Sequence, residues 1–559
     1  MKTTLHYDHY YTYDEYEEAL RQLQALFPSN MALLPLSKTL QGRTIWGVEL
    51  TDSETGPCST KPALYFDGTH HATEYLTTMM SLYAIDTLLT DSDNLSLLQH
   101  TAFYCIPCVS PDGMEAALTN PAFFISLPFV PSQDASGLIP EDIDGDGVIR
   151  MMRVPSSSGI WKEDPTDSRL LTPRLPYETA GTFFNVYTEG VLQNWDGTDI
   201  FPAEGYNSLL MGGDNLNRNY PYAWQASHGS GDAPLSHVET KTVAEFLRNR
   251  SNICWVASLH APCGLYFYPP NSFSQSKMAP EDLRRYQTMG SVIQQMSSFR
   301  AMNPYDGILP AGSCAGGGTL IDWTHFTLGI PSCTIEFWDA EARAGKPHDG
   351  SIKPLEEEIA QYQRILDWDQ NQFNGAHFKP WTPFSHPQLG DIEIGGIDAK
   401  GLLEAPPESI LNEYLAKDVS LLLIHAQLLP HLAINNIEYT KLDGDTWNIS
   451  ATIENTGWLP TYLTAEAKEK GINRSIAVHI SNDSYDICDT IESLAGFSNM
   501  HVSASIYGFG GDSDLSVKHN FSSACKVSKV ITAPIGSTIT IKAMCPTAGT
   551  ASASICLHA

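Results

Sequence analysis

The chain has 559 residues, more than one hydrophobic core usually supports, so we expect one large domain and at least one smaller one. Its 64 acidic residues against 33 basic ones give a formal net charge of −31. This charge repels phosphate backbones and argues against nucleic acid or an anionic membrane as a partner. Because the sequence shows no apolar run of membrane-spanning length and no signal-peptide core, we expect a cytoplasmic protein, or a secreted or periplasmic one if a signal has been removed.

The first two thirds of the chain alternate between helical and strand patterns. Thr12 and Glu15 form a capping-box pattern ahead of apolar residues at helical spacing. A long apolar stretch predicts a buried helix over 74–89. Short, nearly continuous apolar runs predict buried strands over 43–50, 63–68, 101–109, 253–260 and 331–337. Such strands, separated by helices, predict an α/β fold whose sheet is covered on both faces.

Composition changes along the chain and suggests where the domains lie. Residues 120–212 are rich in Pro, Gly, Ser and Asp, which predicts a long insert. From residue 436 short β-branched runs alternate with Asn, Gly and Ser turns, the pattern of an all-β sandwich. We therefore predict a domain over 1–380 that carries the insert, a helical connecting segment over 381–435 and a β-sandwich domain over 436–559.

Two neighbouring histidines precede a glutamate in THHATEYL, residues 69–76. His70 and Glu74 are four residues apart and His71 and Glu74 are three apart, so either pair would share one face of a helix. A zinc hydrolase needs three protein ligands and an open position for water. His260 is a candidate third ligand, because it ends an apolar strand at the edge where α/β sheets place their sites. The spacing alone does not choose between the two histidines, and chance surface pairs also show it.

Six segments of the chain occur in the order found in a known family. They are DGTHHATEYL, SPDG, GGDNLNRNYPYAW, SLHAPCGLYFYP, GGGTLIDWTH and CTIEFWD. Over residues 7–380 the sequence thus resembles the zinc carboxypeptidases of the M14 type. The resemblance implies an α/β/α sandwich around a mixed, mostly eight-stranded sheet. It also implies Zn²⁺ held by His71, Glu74 and His260, with His70 packing beside the site.

The resemblance further implies two catalytic side chains. Glu336 interrupts the apolar run CTIEFW and corresponds to the family's general base. A buried glutamate there is expensive without a purpose, although without the resemblance a salt bridge would be the default interpretation. Arg153 is the best match for the arginine that stabilises the oxyanion, and Arg150 is the alternative.

Substrate-binding residues follow from the same resemblance. Asn217 and Arg218 match the pair that grips the terminal carboxylate, for which an arginine fork is suited. Ile321 falls near the specificity position and favours an apolar or uncharged terminal side chain. Two positions depart from the family: Thr73 stands where an arginine is usual, and Tyr305 is the nearest candidate for a mobile tyrosine.

A second metal pattern lies inside the predicted insert. Asp142, Asp144 and Asp146 alternate in DIDGDGVI, the opening half of a calcium loop. The twelfth position is Arg153 rather than a bidentate glutamate, so the loop is not a complete EF-hand, and an Asp-rich turn is the alternative. Bound Ca²⁺ would order the loop that carries Arg153.

The cysteines predict no further site. The eleven cysteines are scattered through a long chain, which favours reduced thiols over a disulfide framework. Cys105 and Cys108 match a redox or zinc spacing but lie in an apolar strand pattern, so we expect them to pack in the core.

Taken with the resemblance, these features predict a metallocarboxypeptidase that hydrolyses a peptide bond beside a free C-terminal carboxylate. The expected substrate is a peptide or peptide-like molecule. One alternative is a zinc amidohydrolase acting on N-acyl amino acids or cell-wall peptides. Another is a non-catalytic binding protein with this fold. The sequence predicts no oligomeric state.

Overall fold

The computed structural model of the chain describes residues 3, 5–207, 211–227, 229–308, 311–312, 316–351, 353–472, 474–499 and 522–558. In these ranges the α-helices are α1 (Tyr13–Leu26), α2 (Leu76–Thr90), α3 (Ser92–Leu97), α4 (Pro111–Thr119), α5 (Val238–Arg248), α6 (Pro280–Met296), α7 (Pro304–Gly307), α8 (Leu320–Trp323), α9 (Ala340–Arg343), α10 (Leu355–Phe373), α11 (Glu408–Leu423) and α12 (Ala465–Glu469). None of these helices combines the length and the apolar character that a membrane span requires.

The strands form one large sheet, a six-stranded sheet and a two-stranded sheet that include strands of the insert, and two sheets in the C-terminal domain. In chain order they are β1 (Met31–Lys38), β2 (Thr44–Leu50), β3 (Ala63–Asp67), β4 (Ala102–Ile106), β5 (Gly137–Pro140), β6 (Met151–Pro155), β7 (Trp161–Glu163), β8 (Leu171–Pro173), β9 (Phe184–Thr188), β10 (Gly190–Gln193), β11 (Ile253–His260), β12 (Leu265–Phe267), β13 (Arg300–Met302), β14 (Ser332–Glu336), β15 (Phe378–His386), β16 (Gly390–Ile397), β17 (Leu432–Asp443), β18 (Thr446–Asn455), β19 (Ile476–Asn482), β20 (Tyr485–Ile491), β21 (Ala524–Thr532), β22 (Thr538–Cys545) and β23 (Gly549–Cys556).

The large sheet has eight strands in the order β1-β2-β4-β3-β11-β14-β12-β13. It is mixed: β3 pairs in parallel with β4 and β11, and β11 with β14, while β1–β2 and β12–β14 are antiparallel. All residues of β3, β4 and β11 are buried, as expected of strands covered on both faces. The predicted α/β/α sandwich is confirmed, as are the five predicted strands and the buried helix.

The capping box at the start of α1 is also confirmed. Thr12 accepts a hydrogen bond from the backbone N–H of Glu15, and the Glu15 side chain accepts one from the N–H of Thr12 at 2.9 Å. This reciprocal pair satisfies two N–H groups that a helix start leaves without partners. The helix then buries Tyr16, Leu20 and Leu23 in the main core.

The insert contributes four strands to a second sheet. Strands β6, β7, β8 and β9 join the hairpin β15–β16 in a six-stranded sheet of order β15-β16-β6-β9-β7-β8. The hairpin occupies residues 378–397, so the prediction of a helical connecting segment from residue 381 is wrong at its start. The prediction of helix is correct later in this segment, where α11 covers Glu408–Leu423.

The C-terminal region is an all-β domain, as predicted. A three-stranded sheet, β17-β18-β21, and a four-stranded sheet, β20-β19-β22-β23, share one core. Trp447 and Ile449 enter this core from the first sheet, and Val478 and Ile541 enter it from the second. Alternating buried and exposed residues along β22 show the period of two that a half-buried strand requires.

Candidate metal centre and its surroundings

His71 and Glu74 lie in a turn between β3 and α2. The Glu74 backbone N–H donates to the His71 carbonyl at 3.3 Å, and α2 begins only at Leu76. The expectation that the two side chains project from one helical face is therefore wrong. The hydroxyl of Thr77 fixes the turn by donating to the Glu74 carbonyl at 2.7 Å.

Three polar groups converge where this turn meets the end of β11. The Nδ1 atoms of His71 and His260 are 3.2 Å apart. One Glu74 oxygen lies 2.6 Å from His71 Nδ1, and the other lies 2.9 Å from His260 Nδ1. Two nitrogen ligands of a tetrahedral zinc ion are about 3.3 Å apart if each bond is about 2.05 Å. The observed separation therefore fits the predicted ligand set.

The donor chemistry of the three side chains also fits zinc. Glu74 is buried, and its two oxygens face the ring nitrogens of His71 and His260. Burial raises the pKa of Glu74, but the imidazoles of His71 and His260 outweigh it and lower that pKa to about 2. Burial lowers the pKa of His260, with partial opposition from Glu74. An ionised carboxylate beside a neutral imidazole is the form in which these groups bind a divalent metal.

Outer hydrogen bonds aim both histidines at this point. His71 Nε2 lies 3.0 Å from Asn215 Oδ1, and His260 Nε2 lies 3.2 Å from the Ser258 hydroxyl. Ser258 in turn donates to Asp67 at 2.8 Å. Such partners fix ring orientation and leave the other nitrogen to the metal. These three residues were not among the predicted site residues. The available signal was that Asp67 ends β3, that Ser258 stands two residues before the end of β11, and that Asn215 begins the NLNRN segment.

His70 is a packing neighbour, as predicted. It is fully buried, and its Nε2 lies 2.8 Å from the Tyr220 hydroxyl. Its ring stacks on that of His260 with centroids 5.5 Å apart. His70 therefore packs against the ring of His260, the third predicted ligand.

Glu336 lies beside the metal centre at the end of β14. It is the parallel register partner of His260, and its side chain lines the same cavity as His71 and His260. Burial, and then the negative charges of Glu74 and Glu404, raise its pKa well above the usual range. No lysine, arginine or histidine of the described chain forms a salt bridge with it. The salt bridge that would be the default interpretation of this buried glutamate is therefore absent among the described residues.

A small cavity of about 160 Å³ joins the metal centre to the predicted substrate residues. Asn217, Arg218 and Ile321 line it. The full lining is His71, Asn215, Asn217, Arg218, His260, Phe267, Asn271, Pro304, Ile308, Thr319, Ile321, Thr334 and Glu336. Arg218 is the only arginine or lysine in this lining, so it carries the fixed positive charge of the cavity.

Tight packing holds the Arg218 segment. Asn217 Oδ1 accepts from the Leu320 N–H at 2.9 Å, which ties this segment to the start of α8. Gly318 has a φ of +75°, and a Cβ there would stand 2.2 Å from the Arg218 carbonyl oxygen. Glycine is therefore needed at this close approach.

Arg153 does not belong to this site. It lies on β6 in the six-stranded sheet, where its guanidinium binds Glu393 at 2.6 Å and Glu163 at 3.2 Å. It stacks between Phe184 and Trp381, with its carbon 4.5 and 4.9 Å from the two ring centroids. The structure contradicts the prediction of an oxyanion role, because two carboxylates already hold this cation elsewhere. The alternative, Arg150, binds Asp146.

The calcium prediction receives no support. The carboxylates of Asp142, Asp144 and Asp146 do converge, but the Lys379 ammonium binds Asp144 and lies 2.7 Å from Asp146. Arg150 also binds Asp146, at 2.6 Å. These basic groups occupy oxygens that a calcium ion would need. The proposed link from calcium to a catalytic arginine fails with it.

Cys105 and Cys108 are buried core residues with free thiols, as predicted. Burial raises the pKa of Cys108 to about 12, which keeps its thiol protonated. The other eight cysteines in the described ranges are free as well.

Glu404, which was not among the predicted site residues, is a further acidic residue beside the metal centre. It ends a π-helix, Ala399–Glu404, and its Oε2 lies 3.5 Å from the Thr73 hydroxyl. Burial, and then the charge of Glu74, raise the pKa of Glu404 to about 7. It comes from a segment more than 300 residues after Thr73, so no local motif marked it.

His71, Glu74 and His260 form a group that could hold a metal ion at the edge of a mixed eight-stranded sheet. Residues 16–362 match the family model of the zinc carboxypeptidases, and the chain belongs to this family. Residues 431–556 match a separate domain of unknown function.

Individual relatives match over parts of their length. Metallocarboxypeptidase A of Trichophyton tonsurans is 32% identical over 115 residues, which is 20% of this chain and 27% of that protein. Zinc carboxypeptidase A 1 of Drosophila melanogaster is 31% identical over 338 residues, 59% of this chain and 61% of that protein. This chain thus spans about a quarter of the former relative and under two thirds of the latter. A solved carboxypeptidase A from Helicoverpa armigera matches at 16% identity with a TM-score of 0.39, over 66% of this chain and 75% of that one.

Proposed function

We propose that this chain is a zinc-dependent carboxypeptidase that hydrolyses the peptide bond next to a free C-terminal carboxylate. The observation that carries the proposal is the convergence of His71, Glu74 and His260 on one point, with the Glu336 carboxylate beside it. Family membership supports zinc as the metal. The names of the matched relatives support peptides as substrates.

In this proposal Asn217 and Arg218 bind the terminal carboxylate. The Arg218 guanidinium can meet both carboxylate oxygens, since its fork geometry matches theirs. Ile321 forms an apolar part of the wall and faces the terminal side chain. The cavity volume of about 160 Å³ suits one residue rather than a long segment, which agrees with removal of a single terminal residue.

Glu336 performs the proton transfers. Zinc, when bound by the three ligands, polarises the scissile carbonyl and acidifies water. A Glu336 oxygen accepts the proton of the attacking water and later delivers it to the leaving amine nitrogen. The parallel pairing of β11 with β14 holds this carboxylate beside the ligand His260, so both groups keep fixed positions relative to the scissile bond.

The test uses matched substrates with the zinc-loaded full chain. One peptide series has a free C-terminal carboxylate, and a second has the same sequences with a C-terminal amide. We expect release of the last residue only from the first series, because the amide gives Arg218 no carboxylate to bind. Hydrolysis confined to N-acyl amino acids or cell-wall peptides in the same panel would overturn the proposal, as would equal rates for acids and amides.

A further inference from the structure

We propose that Glu404 makes the site select peptides that carry a cationic group on the N-terminal side of the scissile bond. This inference rests on the proposed function and adds a substrate class to it. It concerns the side of the metal centre that Thr73 and the π-helix Ala399–Glu404 form.

The Glu404 carboxylate is held at the edge of the metal centre. Its Oε2 lies 3.5 Å from the hydroxyl of Thr73, which stands in the turn between His71 and Glu74. The negative charge of Glu404 helps to raise the pKa of Glu336, and that of Glu74 helps to raise the pKa of Glu404. Glu404 is half-buried, and its other oxygen makes no hydrogen bond to a described residue. A substrate group can therefore reach it.

Nothing in the described protein neutralises this carboxylate by direct contact. No lysine, arginine or histidine in these ranges lies within 4.0 Å of it as a salt-bridge partner. Lys400 is near in sequence, but its ammonium donates to the carbonyls of Asn120 at 2.7 Å and Ala122 at 3.3 Å. A half-buried carboxylate without a partner favours binding of a cation and disfavours an anion.

The position of Glu404 relative to the cavity determines which part of a bound peptide lies near its carboxylate. Asn217 and Arg218 line the cavity that takes the terminal residue, whereas Glu404 is outside this lining. A peptide whose terminal carboxylate is bound at Arg218 has its scissile bond at the metal centre. In this proposal the chain beyond that bond runs on the other side of the centre, toward the turn that carries Thr73 and the Glu404 carboxylate beside it. The Arg218 guanidinium and the Glu404 carboxylate, which is ionised above its pKa of about 7, thus flank the centre. They match a substrate with a carboxylate at one end and an ammonium at the other.

Two kinds of peptide present the required ammonium group. One carries a lysine side chain immediately before the scissile bond. The other is a short peptide whose free α-amine lies at the same distance. Both kinds present the same group, an ammonium. The experiment distinguishes them with one series of N-acetylated lysine peptides and a second series that has a neutral side chain and a free α-amine.

The experiment compares kcat/KM for N-acetylated peptides that differ only in lysine, norleucine or glutamate before the scissile bond, and for the norleucine peptide with and without its acetyl group. For the wild-type chain we expect a preference of about tenfold for a cationic peptide over its neutral match. Glu404→Gln should reduce this preference to near one, and Glu404→Lys should transfer it to the glutamate peptide. Glu413→Gln, on an exposed part of α11, is the matched control and should keep the wild-type preference.

The outcomes separate this inference from the function on which it rests. Equal kcat/KM for cationic and neutral peptides in the wild-type chain, or an unchanged preference in Glu404→Gln, would overturn the role of Glu404 and leave the carboxypeptidase function standing. Absence of hydrolysis for every peptide would overturn both. Thermal unfolding and zinc content of each variant, measured alongside, show that a lost preference comes from the charge and not from a misfolded site.

Discussion

His260 and Glu336 are register partners at the ends of two neighbouring parallel strands, so a metal ligand and a free carboxylate leave the sheet side by side. The Phe337 N–H donates to the His260 carbonyl at 2.7 Å and continues this pairing past the last strand residue. The distance between the two side chains therefore depends on the sheet and not on a loop. A site built on strands keeps its geometry more tightly than one built on loops.

Asn215 should control metal affinity without touching the metal. Asn215→Ala removes the partner of His71 Nε2, so the ring loses its fixed orientation. We expect zinc affinity to fall about 10- to 100-fold, measured by competition with a chromogenic chelator. Asn412→Ala, on an exposed part of α11, is the control and should bind zinc like the wild-type chain. Unchanged affinity in Asn215→Ala would contradict the orienting role.

Arg218 should matter for the carboxylate and not for folding. Arg218→Met removes the fixed positive charge of the cavity, and we expect kcat/KM for free-acid peptides to fall about 10- to 100-fold. Arg284→Met, on the exposed side of α6, serves as the matched control. A comparable loss in both variants would mean that the effect is not specific to the cavity.

His425 should make the folded state sensitive to mild acid. Its Nε2 lies 3.0 Å from the Tyr266 hydroxyl beneath the sheet, and burial lowers the pKa of His425 to about 4. The unfolded chain, with an ordinary histidine pKa of about 6.5, binds the proton more readily between these values. Stability is thus fully present above pH 6.5 and is lost as the pH falls toward 4.

The matching experiment measures the free energy of unfolding by denaturant at pH 7 and pH 5. From the difference in pKa, His425 should cost the wild-type chain about 2 kcal/mol at pH 5. His425→Gln cannot take up the proton, so its loss of stability over the same interval should be smaller by that amount. An equal pH dependence in the two proteins would rule out this role.

Arg474 should fasten the C-terminal domain to the catalytic one. Its buried guanidinium donates to the carbonyls of Leu328 at 3.0 Å and Tyr462 at 3.1 Å. Arg474→Met removes the donor to the Leu328 carbonyl and one of the two donors to the Tyr462 carbonyl, which also accepts from the Thr464 N–H at 3.0 Å. We therefore expect the free energy of unfolding to fall by about 1–3 kcal/mol. Lys526→Met breaks only an exposed ion pair with Glu438 and should cost less than about 1 kcal/mol. Denaturant titration of both variants checks this order, and the reverse order would refute it.

Sequence patterns predicted the buried strands and helices, because these elements depend on the spacing of nearby apolar residues. The apolar runs that end at His260 and Glu336 are strands, because burial on both faces requires apolar side chains throughout. The resemblance supplied the register that identified His71 as the ligand. The structure then placed His71, His260 and Glu336 together.

Long-range pairings account for what the sequence did not predict. β6 pairs with β16, and Arg153 faces Glu393 across 240 residues of chain. No pattern near Arg153 shows that this partner exists, so the spacing through the insert suggested a catalytic role instead. Glu404 is a second example: it lies beside Thr73 in the structure but comes from a π-helix that follows the β15–β16 hairpin, far along the chain.

Replacing the Glu336 carboxylate by an amide separates proton transfer from metal binding, and so tests the proposal that Glu336 is the base of a zinc carboxypeptidase. Zinc content and hydrolysis of a free-acid peptide are measured for the wild-type chain, Glu336→Gln and the exposed control Glu356→Gln. We predict that Glu336→Gln binds one zinc ion per chain like the wild-type protein and loses hydrolysis by about 10²- to 10⁴-fold, while the control keeps both. Hydrolysis within a few-fold of the wild-type rate in zinc-loaded Glu336→Gln would rule out Glu336 as the base.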